Sequence, residues 1–213
     1  MPSPVHSAVQ IPATFFLLAE EKRQGQGIAY VEFLAHLVGG EAEGDPSMEI
    51  PMMQLRPLIP EDIAVIGTWP PYPPEFAELD YALRDNGWLS EYRSKPETWC
   101  FAVEQSGELI AFTILSKTGA TEAEFRIALR GDRTGQGLGR AVTAMTLAKG
   151  FAEIGLARIH LIVRKNNPRA SRLYSRLGFT EQGECFKNIN GKQTHFLTME
   201  LLRQSHALQG VGA

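Results

Sequence analysis

Ala123-Glu-Phe-Arg-Ile-Ala-Leu-Arg-Gly-Asp-Arg-Thr-Gly-Gln-Gly-Leu-Gly-Arg-Ala141 decides how this chain is read. Its first half alternates. Phe125, Ile127 and Leu129 share one parity and Glu124, Arg126 and Ala128 the other, which is the period of a β-strand. A glycine-rich turn follows. From Leu138 onward, apolar residues at 142, 145, 147, 148, 151 and 154 predict a helix that stops at Gly155. In a strand–glycine turn–helix unit the first-turn N–H groups have no intrahelical partner and carry the positive dipole end. Such a turn can bind phosphate.

Working outward, residues 53–58 read as a strand, and Pro60-Glu61-Asp62 opens a helix with proline and acids in its first turn. Segments 98–104 and 109–116 flank Gln105-Ser106-Gly107-Glu108, a hairpin signal, and 121–129 follows as a third strand of the same meander. Residues 158–163 alternate as a strand. A helix starts at Asn167 or Pro168 and ends at Gly178. Segments 179–186 and 194–201 close on Asn190-Gly191, a favoured two-residue turn. This order predicts a mixed α/β sheet of about seven strands, with no internal repeat.

Three glycine-rich families compete for the turn. A P-loop ends in Lys followed by Ser or Thr, and Gly139-Arg140-Ala141 supplies neither. A dinucleotide-binding turn has G-x-G-x-x-G and an acid closing the next strand. Here Gly135, Gly137 and Gly139 are spaced G-x-G-x-G, and the strand runs into Arg164-Lys165-Asn166-Asn167; those basic residues keep an NADP-binding alternative open. The third reading fits both halves of the chain. Thr134-Gly-Gln-Gly-Leu-Gly139 resembles the Q/R-x-x-G-x-G/A signature of the GNAT-type N-acetyltransferases, with Thr134 where that family usually has Gln or Arg. Asn167-Pro-Arg-Ala170-Ser-Arg-Leu173-Tyr174-Ser-Arg-Leu-Gly178-Phe179 resembles their second motif, N-x-x-A-x-x-L-Y-x-x-x-G-F, at every signature position.

The resemblance covers residues 52–202. It implies a GNAT fold, with a mixed, mostly antiparallel sheet and helices on both faces, and acetyl-CoA as co-substrate without a metal. The N–H groups of Gly135, Gln136, Gly137, Leu138, Gly139 and Arg140 would take the pyrophosphate, and glycine permits the close approach and the φ required. Arg130, Arg133, Arg140, Arg169 and Arg172 are candidates for the remaining phosphate charge. The backbone at Ile127, Ala128 and Leu129 would pair with the pantetheine amides, and Asn167 and Ala170 would flank the same arm. Asn167 is favoured as a ligand contact over a helix cap. Tyr174 lies seven residues after Asn167, two helical turns on and so on the same face. The resemblance makes it the acid that protonates the leaving thiolate, and a phenol is protonated at neutral pH. Glu124 is the candidate base, with a plain surface pair to Arg126 as the competing reading. Direct attack in a ternary complex needs no acyl-enzyme, so Cys100 and Cys185 are not favoured as nucleophiles.

Composition bounds the rest. The chain has 213 residues, 44% of them apolar and 21% charged, an ordinary globular balance. Residues 1–50 carry seven acids against Lys22 and Arg23. An acidic arm on a near-neutral body argues against nucleic acid as the main partner. The cysteines and the five histidines show no ligand spacing, and the setting expected is reduced and cytoplasmic. The apolar run at 15–19 is too short for a membrane span and is not read as a signal peptide. Three parts are expected: an acidic helical extension and linker over 1–50, with helices near 13–24 and 28–38; the acetyltransferase domain over 51–203; and a tail over 204–213. The extension is expected to dock on its own domain, to make a subunit contact, with a homodimer among the outcomes, or to act as a separate functional module.

For the acceptor, 69–97 combines Glu75, Glu78, Asp80, Asp85 and Glu91 with six aromatic residues, which suits a cationic amine; a helix with a solvated acidic face is the competing reading. Residues 55–62, 189–192 and 196–201 are similar to the branch with ribosomal-protein N-terminal and polyamine acetyltransferases. The acceptor expected is a small primary amine or a protein N-terminus. A non-catalytic CoA-binding sensor is the alternative function.

Overall fold

The computed structural model describes residues 53–84 and 86–203; the expected extension over 1–50, the tail over 204–213 and Asp85 lie outside the described residues. Seven strands form one sheet: β1 (Met53–Pro57), β2 (Thr98–Gln105), β3 (Glu108–Gly119), β4 (Glu122–Leu129), β5 (Arg158–Arg164), β6 (Thr180–Ile189) and β7 (Lys192–Leu202), in the order β1-β2-β3-β4-β5-β7-β6. Two hairpin turns take the form the sequence predicts. Ser106-Gly107 and Asn190-Gly191 each place two successive residues at positive φ, as a turn matched to the strand twist requires.

Four α-helices are described: α1 (Pro60–Gly67), α2 (Trp88–Tyr92), α3 (Leu138–Ala152) and α4 (Pro168–Arg176). Between α1 and α2 runs a stretch of 310 turns, Pro74–Leu83. Prolines at 70, 71, 73 and 74 remove N–H donors and fix φ there, so the chain crosses the sheet as a strap, without an α-helix.

Strand alternation sorts the core into two layers. On one face Leu147 and Phe151 of α3 and Tyr174 of α4 bury against Phe101, Leu115, Phe125, Ile159 and Leu161. On the other, Ile66, Trp69, Leu83, Leu89 and Tyr92 bury against Ala102, Phe112, Ile114 and Ala128. Each fully buried side chain of this size contributes about 1.5–3 kcal/mol. A buried hydroxyl pair, Thr113 with Thr146 at 3.0 Å, ties α3 to β3. Gly150 lets the same helix approach closely: a Cβ there would lie 2.9 Å from Ile159 Cδ1.

All neighbouring strands are antiparallel except β4 and β5. These two pair in parallel only at Glu122–Arg158, Ala123–Ile159 and Glu124–His160. Beyond Glu124 they part, although β4 stays paired to β3 as far as Leu129 and β5 to β7 as far as Arg164. The gap opens toward the glycine turn.

Candidate active site

A cleft of roughly 560 Å³ lies at this opening. Ile127 and Leu129 of β4 form one wall; Thr134, Gly135, Gly137, Leu138, Gly139 and Arg140 form its head; Asn167, Ala170, Leu173 and Tyr174 of α4 form the other wall. Two sequence-predicted positions lie elsewhere. The Gln136 side chain donates to the Asp132 carbonyl at 3.1 Å, and Ala128 buries its methyl in the opposite layer, so only their backbones are available.

The glycines have distinct reasons. Gly135 and Gly137 sit at φ +86° and +80°, where a side chain is strained. An added Cβ at Gly137 meets nothing within 4 Å, so the space before this turn is open to a ligand. Gly139 serves packing instead, since its Cβ would lie 3.3 Å from Leu173 Cδ1. Gly137 is the N-cap of α3 and no side chain caps the helix, so the N–H groups of Leu138 and Gly139 are presented at the cleft head, whereas the Arg140 N–H, expected to join them, donates to the Gly137 carbonyl at 3.2 Å. The Nε of Arg140 is buried with no partner among the described residues. An orphaned cationic donor beside an uncapped helix start fits a bound phosphate oxygen.

The expected arginines divide. Arg140, Arg169 and Arg172 line the cleft. Arg130 and Arg133 do not: Arg130 is forked on Asp132 at 2.7 Å and on Glu108 at 2.5 Å, and Arg133 pairs with Glu108. Arg176, not anticipated, joins the cleft; with 169 and 172 it completes an i, i+3, i+7 stripe on α4 that was visible in the sequence.

Asn167 is the N-cap of α4, its Oδ1 accepting from Ala170 N at 3.1 Å. The cap is therefore the observed role of that oxygen. Tyr174 is 9% exposed and packs edge-on against Phe125 and Phe179. Burial pushes its phenol above the usual value, which keeps the proton on oxygen at neutral pH. Cys100 is half-buried against the opposite layer and its thiol is pushed up to about 11 by burial, so it is a poor nucleophile at neutral pH. Among the described residues no three His, Cys, Asp or Glu are grouped to hold a metal, and no helix is long and apolar enough to cross a membrane.

The strap spans the mouth of the gap. From it, the Tyr72 hydroxyl donates to the Leu129 carbonyl on β4 at 2.7 Å. At the β5 side Arg164 donates to the Glu78 carboxylate at 3.0 Å and to its carbonyl at 3.2 Å, and Asn166 donates to the same carboxylate at 3.0 Å. Tyr72, Phe76 and Leu79 thereby join the cleft lining. Nothing in the spacing of 69–97 signals that it lines this cleft.

Glu124 does not line the cleft. It stands on the opposite face of β4, its Oε1 accepting from Arg126 at 2.9 Å. The guanidinium of Arg126 in turn lies over the rings of Tyr92 and Trp88, at 4.8 and 5.2 Å. Beside Glu124, across the last β4–β5 pair, His160 bonds Thr118 Oγ1 at 2.9 Å; burial, then the charge of Arg158, lowers its pKa.

A sheet parted between two parallel strands, with an uncapped glycine turn and an arginine-striped helix at the opening, defines a class of domain whose cleft suits a phosphate-bearing ligand. The particular family follows from comparison. Residues 65–179 match the model of the acetyltransferase (GNAT) family, and the chain belongs to it. It is 29% identical over 110 residues to the spermidine N(1)-acetyltransferase of Escherichia coli K12, an alignment that spans 50% of this chain and 59% of that enzyme. With the Vibrio cholerae enzyme of the same name it shares 31% over 86 residues, 39% of this chain and 50% of the other. Among solved structures, mutant forms of the V. cholerae spermidine/spermine N-acetyltransferase SpeG superpose with a TM-score of 0.60 at 25% identity, over 76% of this chain and 100% of that one. The V. cholerae enzyme in complex with CoA and spermine superposes at 0.60 and 23% identity, over 72% and 97%, and shares the fold.

Proposed function

We propose that this protein transfers the acetyl group of acetyl-CoA to a primary amine within a ternary complex. The observation that carries the reading is the cleft itself. The turn at Gly135–Gly139 and the arginines of α4 suit a pyrophosphate, and a gap between β4 and β5 leads from them to a buried tyrosine. Family membership and the named activity of the relatives support the same reading. The chemistry balances without an acyl-enzyme. The amine nitrogen, arriving at the gap from the face of β4 that carries Glu124, attacks the thioester carbonyl, the C–S bond breaks, Tyr174 protonates the departing sulfur from the cleft side, and the ammonium proton passes to Glu124 directly or through water. Asn167, with its oxygen spent on the cap, would offer its amide N–H groups to the pantetheine arm. The acceptor class proposed is a small aliphatic primary amine; the relatives' names supply the amine chemistry, while the groups beyond the reacting nitrogen need not match theirs.

The reaction is tested by thiol release from acetyl-CoA across a panel of amines. Release that depends on the amine, and that falls at least tenfold in kcat for Tyr174→Phe, is expected. Acetyl-CoA binding without turnover on any amine would instead favour the CoA-binding sensor. The acidic extension over 1–50 is proposed as a docking or subunit-contact arm. Removing it and finding the mass in solution and the activity unchanged would refute the contact role.

A further inference from the structure

The acids and aromatic faces of 69–97 suggest, in sequence, a surface awaiting a cation. In the structure three of those acids already hold cations belonging to the chain. Glu78 is taken by Arg164, Asp80 by Arg84 at 2.8 Å and Glu91 by Lys95 at 2.9 Å; on β4, outside the segment, Glu124 is taken by Arg126 in the same way. The aromatic faces are filled in the same way, with Lys95 3.9 Å from the centre of the Tyr92 ring and Arg126 over both Tyr92 and Trp88.

Arg126 is placed to matter most. It follows the last β4–β5 pair by two residues, where the strands have parted. Its neighbour Ile127 lines the donor cleft on the other face of the same strand. Arg126 therefore stands on the far side of the gap from the cleft, next to the candidate base. Its side chain is 16% exposed and that of Glu124 19%, so water screens their charges weakly. One guanidinium nitrogen is committed to Glu124 and the group also hydrogen-bonds Tyr92, while Nε is buried with no partner among the described residues. A buried N–H without an acceptor is costly, and an oxygen on an arriving molecule relieves it. Across the last strand pair, His160 is held toward its neutral form, so it adds little positive charge of its own.

Resting on the acetyl-transfer reading, we infer that Arg126 is a tethered cation that sets acceptor specificity, excluding amines with a second ammonium group near the first and favouring those whose distal group is a carboxylate or carbonyl. A substrate ammonium can approach the free oxygen of Glu124, but a second one would meet the guanidinium. A distal carboxylate would take up the guanidinium donors that Glu124 and Tyr92 leave open.

Two acceptors of equal length separate the cases: 5-aminopentanoate, with a carboxylate at its distal end, and 1,5-diaminopentane, with an ammonium there. For the full-length protein with saturating acetyl-CoA, kcat/KM is expected to favour the aminocarboxylate by at least tenfold. In Arg126→Gln that ratio should fall to about one or invert, with the change carried by KM. Arg126→Lys, which keeps the charge and loses the fork, should retain the sign of the preference. The wild-type ratio needs no variant to fold, and melting with and without acetyl-CoA shows whether each variant does. Turnover with no preference in the wild type, or loss of both activities in equal proportion in Arg126→Gln, would overturn the inference and leave acetyl transfer standing. If no amine supports turnover although acetyl-CoA binds, both fall together.

Discussion

Gly137 and Gly155 form a matched pair in which backbone strain and ligand contact can be separated. Both sit at φ +80°, and at both an added Cβ meets nothing within 4 Å. Gly137 opens α3 at the head of the cleft. Gly155 lies beyond the other end of this 15-residue helix, a length of roughly 22 Å. Placing alanine in the left-handed region costs about 1–2 kcal/mol, so Gly137→Ala and Gly155→Ala should lose similar stability. For a chain of this size, each kcal/mol lowers Tm by about 2–4 °C. Their effects on acetyl-CoA binding should diverge. The methyl at 137 would enter the space through which, on the proposed function, a phosphate would reach the turn. Loss of one charge-assisted hydrogen bond there costs about 1.5–3 kcal/mol, a rise in Kd of roughly ten- to a hundredfold. Thermal melts of the free proteins and calorimetric titration with acetyl-CoA measure both quantities. Equal rises in Kd for the two variants, or wild-type binding by Gly137→Ala, would refute the placement of the phosphate at this turn.

Three further predictions concern the framework. Thr146→Val strands the buried Thr113 hydroxyl and should cost about 1–3 kcal/mol in urea denaturation, while the double valine variant should recover part of that loss; strict additivity would contradict the hydroxyl pair. Gly150→Ala gains up to about 1 kcal/mol of helix propensity but forces a methyl against Ile159 and Leu115 at about 1–3 kcal/mol, so it should destabilise; a stabilised variant would mean α3 can move away from the sheet. Asp62 is held below the usual carboxylate range, chiefly by hydrogen bonds from Arg56 and further by the backbone of Ile59. The unfolded carboxyl binds its proton more readily, so this contribution is present above about pH 4 and is lost as pH falls through the lowered value. Asp62→Asn should flatten that part of the acid limb, and an unchanged slope would refute the assignment.

What could be read from the chain alone is what is encoded locally. Ser106-Gly107 and Asn190-Gly191 announce their turns because the backbone requirement falls on the residues themselves. The pattern Asn167–Phe179 likewise places a cap, an inward-facing tyrosine and a helix end within three turns. The strap could not be read in this way. Tyr72 finds its partner 57 residues away and Glu78 is met by Asn166 88 residues away, and neither spacing leaves a periodic trace. The acids of this segment looked available for the same reason: most of their partners lie outside it or, as with Arg84 and Lys95, give no sign in sequence of which way they face. Glu124 shows a sharper limit. Parity put it on the face shared with Arg126, which is correct, but parity does not say which face carries the cleft.

The parting of β4 from β5 has a consequence beyond giving a ligand room. Among the described strands, β1 to β4 and β5 to β7 form two blades whose only shared ladder is three residue pairs long. The outer joins run far longer, through all seven residues of β5 on its other side. A molecule that enters the gap and bonds both edges acts as a splint along the weakest seam of the sheet. Its binding energy appears as resistance of the whole domain to unfolding, and its departure returns the sheet to two blades held by their helices and by the strap.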